Sequence, residues 1–253
     1  MTGVFDRILT LLADGPMHMT LLDPASSTGK DGEGIALAAA RAGTHALMVG
    51  GSTDVSSENL DELVRHIKDA TRLPVIYFPS TAGAMSPSVD AIYFLSALNS
   101  RDPRYIIREQ AKGAPLIGGL GIETIAMGYI LVTPGMKVGT VSKADLITHD
   151  DDGIHAAVGY ALAAQHFGMR LVYLEAGSGA DTPVPPALIR AVKQAIDIPL
   201  VVGGGIRTAA QAAAALAAGA DILVTGTVAE RGGFEALAAI ISEVTKRRSR
   251  SSE

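Results

Sequence analysis

What most constrains this chain is an alternation. Eight short runs of apolar and β-branched residues recur along it, each set off by turn residues: "HMTLL" (18–22), "ALMVGG" (46–51), "PVIYF" (74–78), "AIYFLSAL" (91–98), "TIAMGYILV" (124–132), "RLVYLE" (170–175), "PLVVGG" (199–204) and "DILVTG" (221–226). Between them lie stretches with helical spacing, at 33–42, 57–70, 103–112, 151–167, 185–196, 208–218 and 233–247. Near-continuous apolar strands joined by helices are the mark of a parallel sheet covered on both faces. Eight such units in 253 residues predict an α/β fold, a (β/α)8 TIM barrel forming one domain over 1–253. Ser56 or Ser57, Asp150 to Asp152 and Thr208 stand where helix starts want a side-chain acceptor.

Two stretches interrupt the rhythm. "PSTAGAMSPSVD" (79–90), with Pro79, Gly83 and Pro87 spread through it, is too punctuated for a crossover helix. The expectation is therefore a modified barrel, its third helix missing or replaced by an extended segment. "VTPGMKVGTVSKADLI" (132–147) reads as a long, ordered excursion after the fifth strand. The end, "TKRRSRSSE" (245–253), reads as a frayed, solvated tail, with a weak basic contact to an anionic lipid surface left open.

Composition removes several classes of function. Hydrophobic residues make up 48% of the chain, enough for a large core, and Lys+Arg 21 against Asp+Glu 26 gives a formal net charge of −5. No basic stripe marks a nucleic-acid surface. Cysteine is absent, which removes disulfides and thiolate metal sites. No run reaches the roughly 18 apolar residues of a membrane span. The start "MTGVFDRILTLLADG" is a poor signal peptide, because Asp6, Arg7 and Asp14 interrupt it. A soluble, cytoplasmic protein is expected.

In a parallel barrel the chemistry lies at the C-terminal strand ends, with phosphate commonly bound after strands 7 and 8. "VVGGGIRT" puts Gly203, Gly204 and Gly205 after the seventh strand, and "VTGT" puts Gly226 and Thr227 after the eighth. Glycines there either make a tight turn or clear side chains so that backbone N–H groups close on a phosphate; the paired placement favours the phosphate. The sixth strand ends in "YLEAGSGA". By the period of two, Tyr173 and Glu175 share the inward face, and "GSGA" adds backbone donors. Glu175 is either a salt-bridged loop carboxylate or a group that orients or deprotonates a substrate hydroxyl. Asp23 in "LLDPASS" and Ser52 in "VGGST" end the first and second strands. Carboxylate and hydroxyl make a sparse Mg²⁺ site completed by water and substrate phosphate, although Asp23 before Pro24 also suits a turn cap. "SSTGK" (26–30) fails as a phosphate loop, "GSGADT" and "GLGIET" fail as dinucleotide fingerprints, and "THDDDGIH" reads as a capped helix start.

Taken together, "HMTLLDP", "VGGST", "YLEAGSGA", "VVGGGIRT" and "VTGT", in this order over eight strands, resemble the geranylgeranylglyceryl phosphate synthase family, whose bacterial relatives make heptaprenylglyceryl phosphate. The resemblance runs over about residues 5–245 and includes the missing third helix and "GYILVTPGMKVGTV". It implies a Mg²⁺-dependent prenyltransferase of ether-lipid biosynthesis that joins sn-glycerol-1-phosphate to geranylgeranyl diphosphate, a C20 chain being the default. Carried over residue by residue, Asp23 and Ser52 hold the metal and the leaving diphosphate. Tyr173 and Glu175 bind the glycerol, with Glu175 as proton acceptor. The backbone of Gly179, Gly205, Gly226 and Thr227 grips the phosphate, with Gly204 and Arg207 nearby. One position departs from the pattern: Ala25 stands where many members carry a second acidic residue. The resemblance also implies a homo-oligomer, dimer or hexamer, with "RDPRYIIREQ" (101–110) as the interface helix. The competing readings are a heptaprenylglyceryl phosphate synthase and a sugar-phosphate isomerase or aldolase on the same kind of barrel.

Overall fold

The computed structural model describes residues 3–51 and 55–251. Its strands are β1 Met17–Leu22, β2 Ala46–Val49, β3 Val75–Tyr77, β4 Ala91–Ala97, β5 Glu123–Leu131, β6 Leu171–Glu175, β7 Leu200–Gly203 and β8 Ile222–Thr225. All pair in parallel, each with the next, and β1 closes against β8 through Met17–Thr20 and Ile222–Thr225. The helices are α1 Val4–Ala13, α2 Gly29–Ala42, α3 Ser57–Ala70, α4 Glu109–Leu120, α5 Met136–Val141, α6 Asp151–His166, α7 Pro186–Ala195, α8 Ala209–Ala218, α9 Thr227–Arg231 and α10 Gly233–Ser251.

Side-chain alternation divides the interior in two. Met19, Met48, Ile76, Tyr93, Met127 and Tyr173 fill the barrel lumen, while Leu47, Val172, Leu174 and Val202 point out to the helices. Burial on both faces explains why the strands read as continuous apolar runs rather than as alternating ones. Three helix starts carry a side-chain acceptor. Ser56 and Thr208 form reciprocal capping boxes with Asn59 and Gln211, and Asp150 accepts from the Gly153 N–H. Each such cap is worth about 1 kcal/mol.

No helix joins β3 to β4 among the described residues. Side chains hold that segment instead. Asp61 accepts from Ser86 and Ser88 at 2.6 and 2.9 Å, and Glu109 accepts from the Ala82 N–H at 2.8 Å. Beyond β4 the chain first makes a π-helical turn over Arg104–Arg108 and then runs as α4 to Leu120, eight residues past the predicted end at 112. The excursion at 132–147 is ordered as expected and contains α5; it returns to the sheet through a bridge between Val132 and Ile147.

Two ends of the chain differ from expectation. The opening residues form α1, whose Phe5 and Ile8 enter the lumen from the N-terminal side of the strands. Glu123 accepts the Val4 and Phe5 N–H groups at 2.5 and 2.9 Å, and Arg170 stacks on Phe5. At the other end, the expected frayed tail from 245 is helical to Ser251, as the last turns of α10. The Arg248 guanidinium donates to the carbonyls of Leu11, Gly15 and Pro16 at 3.0, 3.0 and 3.1 Å, which holds the segment against the base of the barrel. A dense run of charge resembled a solvated tail because its bonding partners lie more than two hundred residues away.

Beneath the β1–β8 seam sits a buried polar cluster. The His18 ring is fully enclosed, with Nδ1 2.9 Å from Thr44 Oγ1 and Nε2 2.9 Å from Thr225 Oγ1. Burial, together with the neighbouring His45, pushes its pKa down from 6.5 to about 3. The native state therefore binds fewer protons than the unfolded chain between these limits, and stability is lost as pH falls through that window. Each pH unit is worth about 1.4 kcal/mol. Thermal melts from pH 7 to pH 4 are expected to show a steep loss in the parent protein. A His18→Asn variant, weaker at pH 7, is expected to show a shallower one.

Candidate active site

Two cavities open at the C-terminal ends of the strands and share a wall. The larger, about 180 Å³, runs under the β3–β4 segment and is lined by aromatic and aliphatic side chains including Phe78, Met85, Tyr93, Tyr105 and Ile117. The smaller, about 40 Å³, is lined by Gly179, Gly204, Gly205, Arg207, Gly226 and Thr227. Leu21, Glu175, Ser178, Gly226 and Thr227 belong to both. A slot of backbone and hydroxyl groups beside an apolar groove suits a ligand with one polar and one greasy part.

Glu175 stands at the junction. It is 6% exposed, and its Oε1 accepts the Gly177 N–H at 2.7 Å. The phenols of Tyr173 and Tyr129 lie beside the same carboxylate and favour its charged form. Burial nonetheless lifts its proton affinity above that of an ordinary glutamate, and the Gly177 N–H and the two phenols only partly reverse the lift. The phenols of Tyr173 and Tyr129 are driven well above their usual range, first by burial and then by the adjacent carboxylate, so both remain donors. β5 and β6 pair Tyr129 with Tyr173, which places the rings edge to face with centroids 5.3 Å apart. Phe78 packs on both, at 5.5 and 5.7 Å. The carboxylate thus has a fixed position, a dry surrounding and raised basicity, which are the properties of a proton acceptor.

The glycines of "VVGGG" have distinct reasons. Gly203 faces Glu175 across the β6–β7 register, and a Cβ there would strike the Tyr173 hydroxyl. Gly204 has φ +80°, and a Cβ would strike Glu175 Oε1 and the Gly177 nitrogen. The turn is therefore glycine both for its left-handed backbone and because the carboxylate lies directly against it. Gly179 and Gly205 line the smaller cavity, and Ser178 Oγ lies 3.2 Å from Thr227 Oγ1. Arg207 donates to the Gly179 carbonyl and to Asp181, clasping the loop after β6 to the turn after β7.

Asp23 lies on the wall of the larger cavity, one residue beyond β1. Its Oδ1 accepts the Ala25 N–H at 2.9 Å, so the turn-cap geometry is real, while the carboxylate also packs so closely on Gly51 that a Cβ there would displace it. Ser52, its expected companion, falls outside the described residues. No group of three or more His, Asp or Glu side chains able to hold a metal occurs among the described residues. Tyr129, Phe78 and Glu230 join the site without having been singled out from the sequence. Tyr129 carries a usable signal, since it sits inward by the period of two near the end of "TIAMGYILV"; Phe78 and Glu230 are neighbours only through the closure of the barrel.

Residues 12–245 match the model of the PcrB family. The chain is 52% identical over 233 residues to the geranylgeranylglyceryl phosphate synthase of Methanothrix thermoacetophila, covering 92% of this chain and 89% of that one. It is 47% identical to that of Thermoplasma acidophilum, covering 96% of each. Among solved structures, it superposes with TM-score 0.93 on the Thermoplasma acidophilum (S)-3-O-geranylgeranylglyceryl phosphate synthase in complex with substrate sn-glycerol-1-phosphate, at 46% identity over 97% of this chain and all of that one. With its family model spanning nearly the whole barrel, the chain belongs to the PcrB family, alongside these geranylgeranylglyceryl phosphate synthases.

Proposed function

We propose that this protein is a prenyltransferase that joins sn-glycerol-1-phosphate to geranylgeranyl diphosphate, giving geranylgeranylglyceryl phosphate and diphosphate. The observation that carries the reading is the buried Glu175 carboxylate at the seam between a polar slot and an apolar groove. The phosphate sits in the slot, against backbone after β6, β7 and β8; the glycerol hydroxyl faces Glu175; the prenyl chain lies along Phe78, Tyr93 and Tyr105. The hydroxyl oxygen attacks the allylic carbon C1. As the new C–O bond forms, the bond from C1 to the diphosphate breaks, its electron pair leaves with the diphosphate, and the hydroxyl proton passes to Glu175. Tyr129 and Tyr173 hold the carboxylate in place throughout, and the aromatic wall keeps water from the allylic centre. Alignment of two bound reactants supplies much of the rate.

Mg²⁺ belongs to this reading. Asp23 is a hard oxygen donor on the groove wall, and no cage of acidic or imidazole groups surrounds it among the described residues. Such a donor set fits a small divalent cation that keeps several waters and binds substrate phosphate oxygens. Asp23, with Ser52 from outside the described residues, would hold it; bound there, the ion would neutralise charge on the leaving diphosphate. Homo-oligomer formation is a further part of the proposal, supported by the exposed Ile107, Leu116 and Leu120 on the helix whose other side lines the groove. No helix of the described residues is long and apolar enough to cross a membrane.

The direct test is transfer of label from glycerol-1-phosphate into an organic phase, with C15, C20 and C35 diphosphates and with or without Mg²⁺. Metal-dependent product with a C20 preference is expected; a C35 preference would move the protein to the heptaprenyl reaction, and binding of glycerol-1-phosphate without any lipid would return it to the isomerase or aldolase reading. Glu175→Gln is expected to lower kcat by about 10²–10⁴-fold while glycerol-1-phosphate still binds. Gly204→Ala is expected to lose about 1–3 kcal/mol of stability and most of its glycerol-1-phosphate affinity, measured by thermal melts and calorimetry.

A further inference from the structure

The groove has a second carboxylate that neither the phosphate slot nor the proton transfer accounts for. Glu230 lies on α9, three residues after Thr227, and lines the larger cavity beside Asp23. One of its oxygens, Oε1, accepts three hydrogen bonds from a single loop: from the Asp23 N–H at 3.2 Å, from Ser26 Oγ at 3.0 Å and from Ser27 Oγ at 2.9 Å. Ser27 is buried. The separation along the chain is more than two hundred residues, so this contact exists only because β8 closes against β1.

We infer that Glu230 is a positioning residue for the diphosphate end of the reaction: it fixes the loop Asp23–Ser27 so that the Asp23 carboxylate keeps its place on the groove wall. The inference rests on the prenyltransferase reading. Within the loop, the Asp23 carboxylate accepts the Ala25 N–H, and the Ser26 and Ser27 N–H groups return to the Asp23 carbonyl, which shapes the turn. Glu230 adds an anchor from α9, its Oε1 accepting from the Asp23 N–H and from both serine hydroxyls. The anchor is carried by the segment that begins with Gly226 and Thr227, which both line the phosphate slot. One short stretch of chain therefore touches the glycerol phosphate with its first residues and holds the diphosphate loop with its fifth. Partners that orient a metal ligand are typically worth about 10–100-fold in metal affinity.

The test compares parent, Glu230→Ala, Glu230→Gln and the double variant Ser26→Ala/Ser27→Ala as full-length proteins. Mn²⁺ binding is followed by electron paramagnetic resonance with inorganic diphosphate present, and steady-state kinetics give KM for each substrate. Glu230→Ala is expected to weaken Mn²⁺ binding about tenfold or more and to raise KM for the prenyl diphosphate, leaving KM for glycerol-1-phosphate within about twofold. Glu230→Gln keeps an acceptor oxygen and is expected to recover most of the loss. The serine double variant, which leaves the carboxylate untouched, is expected to move in the same direction as Glu230→Ala and serves alone if that variant does not fold. Unchanged Mn²⁺ binding in Glu230→Ala or in the serine variant overturns the inference. So does a Gln variant as weak as Ala, which would make the charge itself the requirement, or an equal rise in both KM values. A parent protein that binds no Mn²⁺ with diphosphate and forms no lipid removes the underlying reading, a result distinct from any difference among the variants.

Discussion

A single buried carboxylate organises this active site. Taking Glu175 out of water disfavours its charged form, and the surrounding structure answers with the Gly177 N–H, which donates to it, and with the phenols of Tyr173 and Tyr129 beside it. Each makes its own demand on the fold. The tyrosines must sit side by side, which the β5–β6 register provides. The Tyr173 hydroxyl needs space, which Gly203 leaves, and the carboxylate needs a turn without side chains at Gly204. The glycine run after β7 is thus explained as much by the carboxylate beside it as by the slot it lines.

The same geometry separates the two halves of the reaction. On one side the backbone after β6, β7 and β8 makes a slot with few side-chain atoms; on the other, the unhelical β3–β4 segment leaves room for an apolar groove floored by the upper lumen residues. A regular crossover helix between β3 and β4 would occupy the outer layer where the groove runs. The anchors from Asp61 and Glu109 keep that segment ordered without a helix, so the opening is a built feature of the barrel.

The architecture was legible because the strands are buried on both faces and three helix starts, at Ser56, Asp150 and Thr208, carry their own acceptors, both local properties. Eight of the nine candidate positions, Asp23, Tyr173, Glu175, Gly179, Gly204, Gly205, Gly226 and Thr227, line the two cavities, since barrel closure brings the strand ends to one face. What was not legible required knowledge of who meets whom across the barrel. Glu230 meets Asp23, Ser26 and Ser27 from more than two hundred residues away, and the basic run near the end of α10 reads as a free tail until Arg248 meets the carbonyls of Leu11, Gly15 and Pro16. The opening helix escaped notice because its amphipathic pattern was weighed only as a targeting signal. Ser52, although expected beside Asp23, has no structural counterpart among the described residues.

The claim on which the account turns is that Glu175 is a carboxylate of raised basicity in a closed site. Difference infrared titration, parent minus Glu175→Gln, reads that group alone, without interference from the titration of a phosphate substrate. A protonated-carboxyl band, absent from the variant, is expected to persist as pH rises beyond the ordinary glutamate value of 4.5. A band that disappears at or below that value would contradict that claim and leave Glu175 as a hydrogen-bonding group without the basicity to take the proton.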